Sequence, residues 1–195
     1  MQQKYIVFLH DRPIIFCENI NTAIVNTNIT PLLIDKESFA TEFERFYSDV
    51  SIAELQFICN DAKDAFRTIV QKFKFISAAG GIVYNSKGQI LLIRRYNKWD
   101  LPKGKLENEE LPEQGALREV MEETSVTGLT VIRQMISTFH IFTTRKGRIA
   151  LKETRWFEMR SDSESPLIPQ QEEDITEVMW VEKSKLPVLM SDSYA

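Results

Sequence analysis

The chain has 195 residues, 43% hydrophobic and 27% charged, which is typical of a globular protein with one ordinary domain or one plus a small module. The 24 basic and 28 acidic side chains give a net charge of −4, which argues against a protein that coats DNA or RNA. Two cysteines without Cys or His neighbours at ligand spacing exclude a disulfide framework and a zinc cluster, and no apolar run approaches the roughly 20 residues of a membrane span, so we expect a cytoplasmic protein.

Residues 1–72 predict a small α+β module. The β-rich runs 4–9 and 14–18 are separated by a turn-prone segment, which is typical of a hairpin. A helix is predicted between Asp35 and Tyr47, because three aromatic side chains recur on one face at helical spacing: Phe39, Phe43 and Phe46. We expect this stripe to pack into a core rather than to line a ligand pocket.

A short strand over 54–59 and a second helix from Asn60 or Asp61 to Lys72 complete this module. The inner face of the second helix is expected to consist of Ala65, Phe66, Ile69 and Val70. Nothing in residues 1–72 predicts a reaction. The module is compatible with pairing of two chains into a homodimer, with covering of an active site, or with binding of a partner.

Residues 73–195 predict a second domain that is rich in strands. Extended runs are expected at 77–85, 89–95, 129–142, 149–159 and 177–181. A terminal amphipathic piece follows and contains Leu186, Val188 and Leu189. One long polar segment, 98–126, lies between the early and the late strands and carries a helix that starts at Pro112.

The helix after Pro112 carries its charge in an unfavourable place. Its buried stripe is predicted to be Ala116, Leu117, Val120 and Thr124. Three carboxylates, Glu119, Glu122 and Glu123, share one face near the C-terminal end, where the helix dipole disfavours acids. A hard divalent cation would reverse that cost, because Mg²⁺ and Mn²⁺ prefer carboxylate oxygens. A solvated acidic face is the alternative for three glutamates taken alone.

The spacing of this segment closely resembles the Nudix box, G-x5-E-x7-R-E-U-x-E-E-x-G-U, where U is an aliphatic residue. Eight of the nine specified positions match, over the stretch from Gly104 to Val126. A fixed pattern of this length is a strong signal. The resemblance implies an α/β fold, a Nudix-type α/β/α sandwich with a mixed sheet, over residues 73–195, preceded by the small α+β module.

One position departs from the family pattern. Ser125 stands where the family has glycine, which ends the helix in a left-handed conformation without steric cost. Serine there is expected to add strain of order 1 kcal/mol. Gly128, three residues further on, is placed to relieve the turn. We expect loop geometry to be affected more than chemistry.

The resemblance implies hydrolysis of a nucleoside diphosphate linked to another group, by water attack on phosphorus with Mg²⁺ or Mn²⁺. Carried over by position, the metal ligands are Glu119 and Glu123, then Glu122 and the carbonyl of Gly104. Arg118 is expected to orient the glutamates by ion pairing, with Glu110 or Glu119 as its partner. The catalytic set is therefore Glu119, Glu122 and Arg118.

The general base and the phosphate contacts are less narrowly defined. The family uses either a box glutamate, with Glu119 first here, or an acid in a late loop, for which the candidates are Glu172, Glu173 and Glu177. The run W-x-L-P-K-G-K at 99–105 is similar to the diadenosine-polyphosphate and diphosphoinositol branches. Basic side chains there predict contacts to substrate phosphates from Arg94, Lys103 and Lys105.

Several functions remain open on the sequence alone. The leading hypothesis is a pyrophosphohydrolase of nucleoside or dinucleoside polyphosphates, most closely diadenosine-polyphosphate-like. Alternatives are a pyrophosphatase for 8-oxo-dGTP, a diphosphoinositol or an ADP-ribose substrate, and a non-catalytic Nudix-like nucleotide sensor. The expected partner is a small nucleotide, with no nucleic-acid polymer and no membrane.

Overall fold

A computed structural model describes residues 4–18, 36–144 and 146–193. These residues form a mixed α/β fold with a β-hairpin and helix region at its N-terminal end, as predicted. In chain order the elements are β1 (Lys4–Leu9), β2 (Arg12–Cys17), α1 (Lys36–Ser48), β3 (Leu55–Ile58), α2 (Ala62–Val70), β4 (Lys74–Tyr84), β5 (Ile90–Arg95), β6 (Lys98–Asp100), β7 (Lys103–Lys105), α3 (Pro112–Thr124), β8 (Leu129–Thr143), β9 (Ile149–Ser161), β10 (Ile175–Val181) and α4 (Leu186–Leu189).

The chain divides into two compact units. The first unit contains the described residues up to Phe75 together with Phe139–Lys152, and the second contains Ile76–Thr138 and the described residues from Glu153 onward. The long strands β8 and β9 therefore contribute residues to both units. The boundary between residues 72 and 73 stays a prediction.

The first unit is a small sheet covered by helices that bring aromatic rings to its core. β1 and β2 pair antiparallel, with Tyr5 opposite Phe16, whereas β2 and β3 pair parallel. Residues 139–141 of β8 lie parallel to β1. The predicted aromatic stripe of α1 is buried in this core, where the ring of Phe39 stacks near that of Phe43 with centroids 5.5 Å apart.

The helix α2 begins at a capping side chain. Asp61 accepts a hydrogen bond from the Asp64 amide at 2.8 Å, as expected of an acid at this position. Phe66 and Ile69 are buried, and Ala65 and Val70 pack partly buried against the same cluster, which confirms the predicted inner face.

The second unit has the strand order β10-β5-β4-β9-β8, and two short strands are added to it. β6 pairs antiparallel with β5, and β7 pairs antiparallel with β4, where Gly104 lies opposite Ala79. The helix α3 packs one face of this sheet through Ala116 and Val120. These two short strands position the loop that leads into α3.

Three details differ from the sequence prediction. The strands β6 and β7 were not predicted, because three residues are too few for a periodic pattern. The first turn is shorter than expected, since Pro13 already pairs with Phe8 in the hairpin. Val188 is 77% exposed, whereas Leu186 and Leu189 pack against a small apolar cluster. The predicted start of α1 at Asp35 lies outside the described residues.

The two ends of α3 follow from local chemistry. Pro112 occupies the first turn, where its missing amide hydrogen costs nothing. Ser125 ends the helix with φ of 58°, so serine adopts the left-handed conformation that the family pattern reserves for glycine. Its amide donates to the Met121 carbonyl at 2.8 Å. Gly128 is also left-handed, with φ of 65°.

Candidate active site

The loop before α3 is held by backbone hydrogen bonds to β4. The Gly81 amide donates to the Pro102 carbonyl at 3.1 Å, and the Leu106 amide donates to the Ser77 carbonyl at 3.0 Å. Gly104 lies between these two contacts, directly against the Glu119 carboxylate. A Cβ built on Gly104 would overlap with that carboxylate, so any larger residue must displace Glu119.

Arg118 is the centre of an ion-pair network that joins the loop to the helix. Its Nε and Nη2 donate to the two oxygens of Glu110 at 2.8 and 2.9 Å. Its Nη1 donates to Glu119 and to Glu122, each at 2.8 Å, and Nη2 also donates to the Lys105 carbonyl at 3.0 Å. The guanidinium therefore orients two of the predicted metal ligands and fixes the loop beside them.

The acids around Arg118 differ in their proton affinity. The bidentate contact with Arg118 lowers the pKa of Glu110 to about 2. Burial is the largest influence on Glu119 and raises its pKa, although Arg118 opposes this shift. The same contacts raise the pKa of Arg118, so its positive charge is permanent.

Glu123 is the most deeply buried acid of the described chain. It has no exposed surface, and burial raises its pKa to about 7. Its Oε2 accepts a hydrogen bond from the Lys103 amide at 2.8 Å. Among the described residues, no group donates to its Oε1, which is fully buried. A buried carboxylate oxygen without a donor destabilises the folded protein unless a cation binds to it.

The three box glutamates are not equivalent, although their spacing places them on one helix face. Glu119 is 7% exposed and Glu123 is fully buried, whereas the side chain of Glu122 is 47% exposed and contacts Arg118. The burial of Glu119 and Glu123 was not predicted. The Glu119 carboxylate lies against Gly104, and the Glu123 carboxylate lies against the Lys103 amide, both in β7.

Of the three late candidate acids, Glu172 and Glu173 lie in the loop before β10 and Glu177 lies in β10 itself, and one of the three reaches the site. The Glu173 carboxylate forms an ion pair with Arg95 at 3.0 Å, and its charge raises the pKa of Glu119. Glu177 is instead paired with Arg94, and Glu172 is exposed. The chain separation of about 50 residues between Glu119 and Glu173 explains why the sequence left all three open.

The predicted phosphate contacts lie in different surroundings. The Nζ of Lys103 donates to Asp100 at 2.6 Å, and this buried acid also accepts the Leu101 amide at 2.8 Å. Lys105 is exposed beside the box, and Arg94 contacts Glu177 and the ring face of Trp99. Asp100 was missed by sequence analysis, although its spacing of three residues from Lys103 is a signal for an ion pair.

The donor set fits a hard divalent cation. It offers carboxylate oxygens, one of which is buried without a donor among the described residues, and the cluster has an excess of negative charge. In the described part of the chain, no group of three or more Asp, Glu, His or Cys side chains is already gathered as a ready-made metal site. Glu122 and one oxygen of Glu119 are held by Arg118 instead.

A family model for the NUDIX domain matches residues 74–194. The chain therefore belongs to the Nudix family, whose enzymes typically depend on a divalent metal. Among the described residues, no helix has the length and apolar character needed to cross a bilayer.

Individual relatives are distant. An RNA pyrophosphohydrolase of Wolbachia sp. subsp. Brugia malayi is 28% identical over 102 residues, which cover 47% of this chain and 63% of that protein. A MutT-like protein of Streptomyces ambofaciens is 45% identical over 51 residues, covering 25% and 33%. The chain thus spans less than two thirds of the length of these curated relatives.

Solved structures similar to this chain are also distant. The MutT protein of Methanosarcina mazei Go1 is 25% identical with a TM-score of 0.49, covering 63% of this chain and 86% of that one. An Ap4A hydrolase of C. elegans is 20% identical with a TM-score of 0.46, covering 59% and 85%.

Proposed function

We propose that the protein is a divalent-metal-dependent pyrophosphohydrolase that cleaves a pyrophosphate bond in a nucleoside or dinucleoside polyphosphate. The observation that carries this proposal is the pair of buried acids, Glu119 and Glu123, with one carboxylate oxygen that has no donor among the described residues. Such an arrangement lowers stability unless it serves a charged ligand. The box spacing from Gly104 to Val126 agrees with it.

Each residue has a separate task in this proposal. Glu119 and Glu123 hold the cation, with Glu122 and the Gly104 carbonyl as further ligands. Arg118 keeps Glu119 and Glu122 in place through its permanent charge. A cation bound there neutralises charge on the phosphate oxygens and lowers the pKa of the attacking water.

The reaction transfers one phosphoryl group to water. The water oxygen forms a bond to phosphorus, the bond from phosphorus to the bridging oxygen breaks, and the bridging oxygen leaves as part of a phosphate. A carboxylate takes the water proton, and Glu119 or Glu173 is positioned for this role. Burial favours the proton on Glu119 because it raises the pKa of that side chain.

Two features support a polyphosphate substrate. Lys103 and Lys105 flank Gly104; the charge of Lys103 acts on Glu123, and Lys105 is exposed beside the box. Two curated relatives bear the name RNA pyrophosphohydrolase, which agrees with cleavage of a pyrophosphate bond. The W-x-L-P-K-G-K run at 99–105 is similar to the diadenosine-polyphosphate and diphosphoinositol branches, which supports a substrate with a polyphosphate chain.

The test is product release from a substrate panel, with and without Mg²⁺ or Mn²⁺. The panel contains diadenosine tetraphosphate, 8-oxo-dGTP, ADP-ribose, a diphosphoinositol phosphate and an RNA oligonucleotide with a 5′ triphosphate. We expect metal-dependent turnover, fastest on diadenosine tetraphosphate, and a loss of about a thousandfold in Glu123→Gln.

The matched control is Glu113→Gln, which makes the same change at an exposed position in the first turn of α3. It should leave turnover unchanged, because Glu113 contributes only to the helix dipole. Full activity of Glu123→Gln would contradict the proposed role of the buried acids. Nucleotide binding without turnover on any substrate would favour a sensor.

A further inference from the structure

Arg95 holds an unusual position between two acids of the site. It is the last residue of β5, and its side chain is 23% exposed. Its Nη2 lies 3.0 Å from Oε2 of Glu173, and its Nη1 lies 3.9 Å from the buried Oε1 of Glu123. The first distance is that of a hydrogen-bonded ion pair, whereas the second is too long for a hydrogen bond.

The β5–β6 hairpin holds the late loop at two neighbouring points. Tyr96 is left-handed in the hairpin turn, with φ of 51°, and its hydroxyl donates to Asp174 at 3.0 Å. Arg95 pairs with Glu173 immediately beside it. The Arg95 guanidinium also lies over the Tyr96 ring, 5.4 Å from its centroid. Two consecutive residues of the hairpin thus bind two consecutive residues of the loop.

The contact with Arg95 brings Glu173 into an acidic cluster. The charge of Glu173 acts on Glu119, and the charge of Arg95 acts on Glu123. Without the guanidinium, Glu173 would be repelled by the two buried carboxylates. The ion pair therefore offsets the cost of placing a third acid there.

We propose that Arg95 is a positioning residue that holds Glu173 beside Glu119 and Glu123. Its positive charge also partly neutralises the Glu123 carboxylate, as a bound cation would. The inference rests on the proposed function. It has two consequences of opposite sign. Arg95 supports turnover because it fixes the late-loop acid, and it weakens metal binding because its charge repels a divalent cation near Glu123.

The opposite effects on kcat and on metal affinity distinguish a positioning role from a structural role and from phosphate binding. Loss of a merely structural residue would weaken both metal binding and turnover, because the site would lose its shape. Loss of a phosphate-binding arginine would raise KM and leave metal binding by the free protein unchanged. A positioning residue of the proposed kind affects kcat and metal affinity in opposite directions.

The experiment compares the full chain with Arg95→Met, Arg95→Lys and the control Arg133→Met. Binding of Mn²⁺ alone is measured by calorimetric titration, and kcat and KM are measured on the substrate that the panel selects. Arg133 also pairs with a glutamate, Glu158, at 2.7 Å, but lies on the exposed surface of β8. Its substitution should change neither quantity.

For Arg95→Met we expect Mn²⁺ to bind at least about threefold more tightly, while kcat falls at least about tenfold and KM stays within about threefold of the parent value. Arg95→Lys should restore most of the parent Mn²⁺ affinity because it restores the charge. Glu173→Gln should lower kcat by a similar factor, and the double variant Arg95→Met with Glu173→Gln should be no slower than either single variant.

Weaker Mn²⁺ binding together with lower kcat in Arg95→Met would overturn the inference in favour of a structural role. A large rise in KM with unchanged Mn²⁺ affinity would overturn it in favour of phosphate binding. If the parent protein neither binds Mn²⁺ nor hydrolyses any substrate, the proposed function fails first, and this outcome is distinct from both.

Discussion

The two units of this chain use their buried volume differently. In the first unit the core consists of aromatic and aliphatic side chains, and Gln56 is the buried polar residue among its described positions. The other buried polar or charged residues of the described chain lie in the second unit: Asp100, Glu119, Glu123, Thr124, Thr154 and Ser161. Buried rings stabilise a fold, whereas a buried carboxylate oxygen without a donor, such as Oε1 of Glu123, costs stability unless a ligand pairs with it.

This difference is also visible in the neighbours of one buried side chain from each unit, Phe39 and Glu123. The ring of Phe39 lies within 6.4 Å of four other rings, those of Phe16, Phe43, Phe57 and Phe73. Within the described chain, the carboxylate of Glu123 has one hydrogen-bond donor and a guanidinium at 3.9 Å. The Phe39 ring is stabilised by packing, whereas one oxygen of Glu123 lacks a donor among these residues.

The largest expected effect is on the stability of the first unit. Phe39→Ala should lower the free energy of unfolding by about 3–5 kcal/mol, because it leaves a cavity in an aromatic core. Chemical denaturation measures the loss. Phe75→Ala makes the same change at a ring that is 45% exposed and should cost clearly less. Equal losses in the two variants would remove the contrast between core and surface rings.

Substitution of a buried acid in the second unit should raise the free energy of unfolding rather than lower it. The folded-state pKa of Glu123 is raised to about 7 from 4.5, so its contribution to stability is lost as the pH rises from 4.5 through 7. Above pH 7, Glu123→Gln should therefore raise the stability of the metal-free protein, by about 1–3 kcal/mol. The gain should vanish below pH 4.5. A loss of stability at pH 8 would contradict the cost assigned to this carboxylate.

A paired acid in the same unit should behave in the opposite way. The folded-state pKa of Glu110 is lowered to about 2, so the stability that it contributes is present above pH 4.5 and is lost as the pH falls toward 2. Glu110→Gln should cost about 1–2 kcal/mol at pH 7, because it breaks two charge-assisted hydrogen bonds from Arg118. Acid titration of unfolding should show the two proteins converging near pH 2. Glu113→Gln, at an exposed acid, should follow the parent curve throughout.

Much of the fold could be predicted because it depends on local periodicity. The spacing of Phe39, Phe43 and Phe46 indicated both α1 and its buried face, and the structure confirms both. Pro112 marked the beginning of α3, and the start of α2 was predicted at Asn60 or Asp61, of which the structure selects Asp61 as the cap. The strands β6 and β7 were not predicted because three residues show no periodic pattern. They are defined by their pairing with β5 and β4.

The site was predictable in its residue types and not in their environments. The box spacing identified Arg118 and the three glutamates, and the structure shows Arg118 in contact with Glu110, Glu119 and Glu122. The spacing could not show that Glu123 is buried and Glu122 exposed, because burial depends on the loop that covers the helix. The metal and phosphate roles of these residues stay predictions.

The neighbouring arginines Arg94 and Arg95 show the limit most clearly. The sequence by itself determined that they end a predicted strand over 89–95, in which neighbouring side chains alternate between the two faces. Only the tertiary structure decided that Arg94 meets Glu177 while Arg95 meets Glu173 beside Glu123. These partners lie about 30 to 80 residues away, and their approach depends on strand pairing and on the late loop. Local spacing determines which residues share a face, whereas long-range pairing determines what that face contacts.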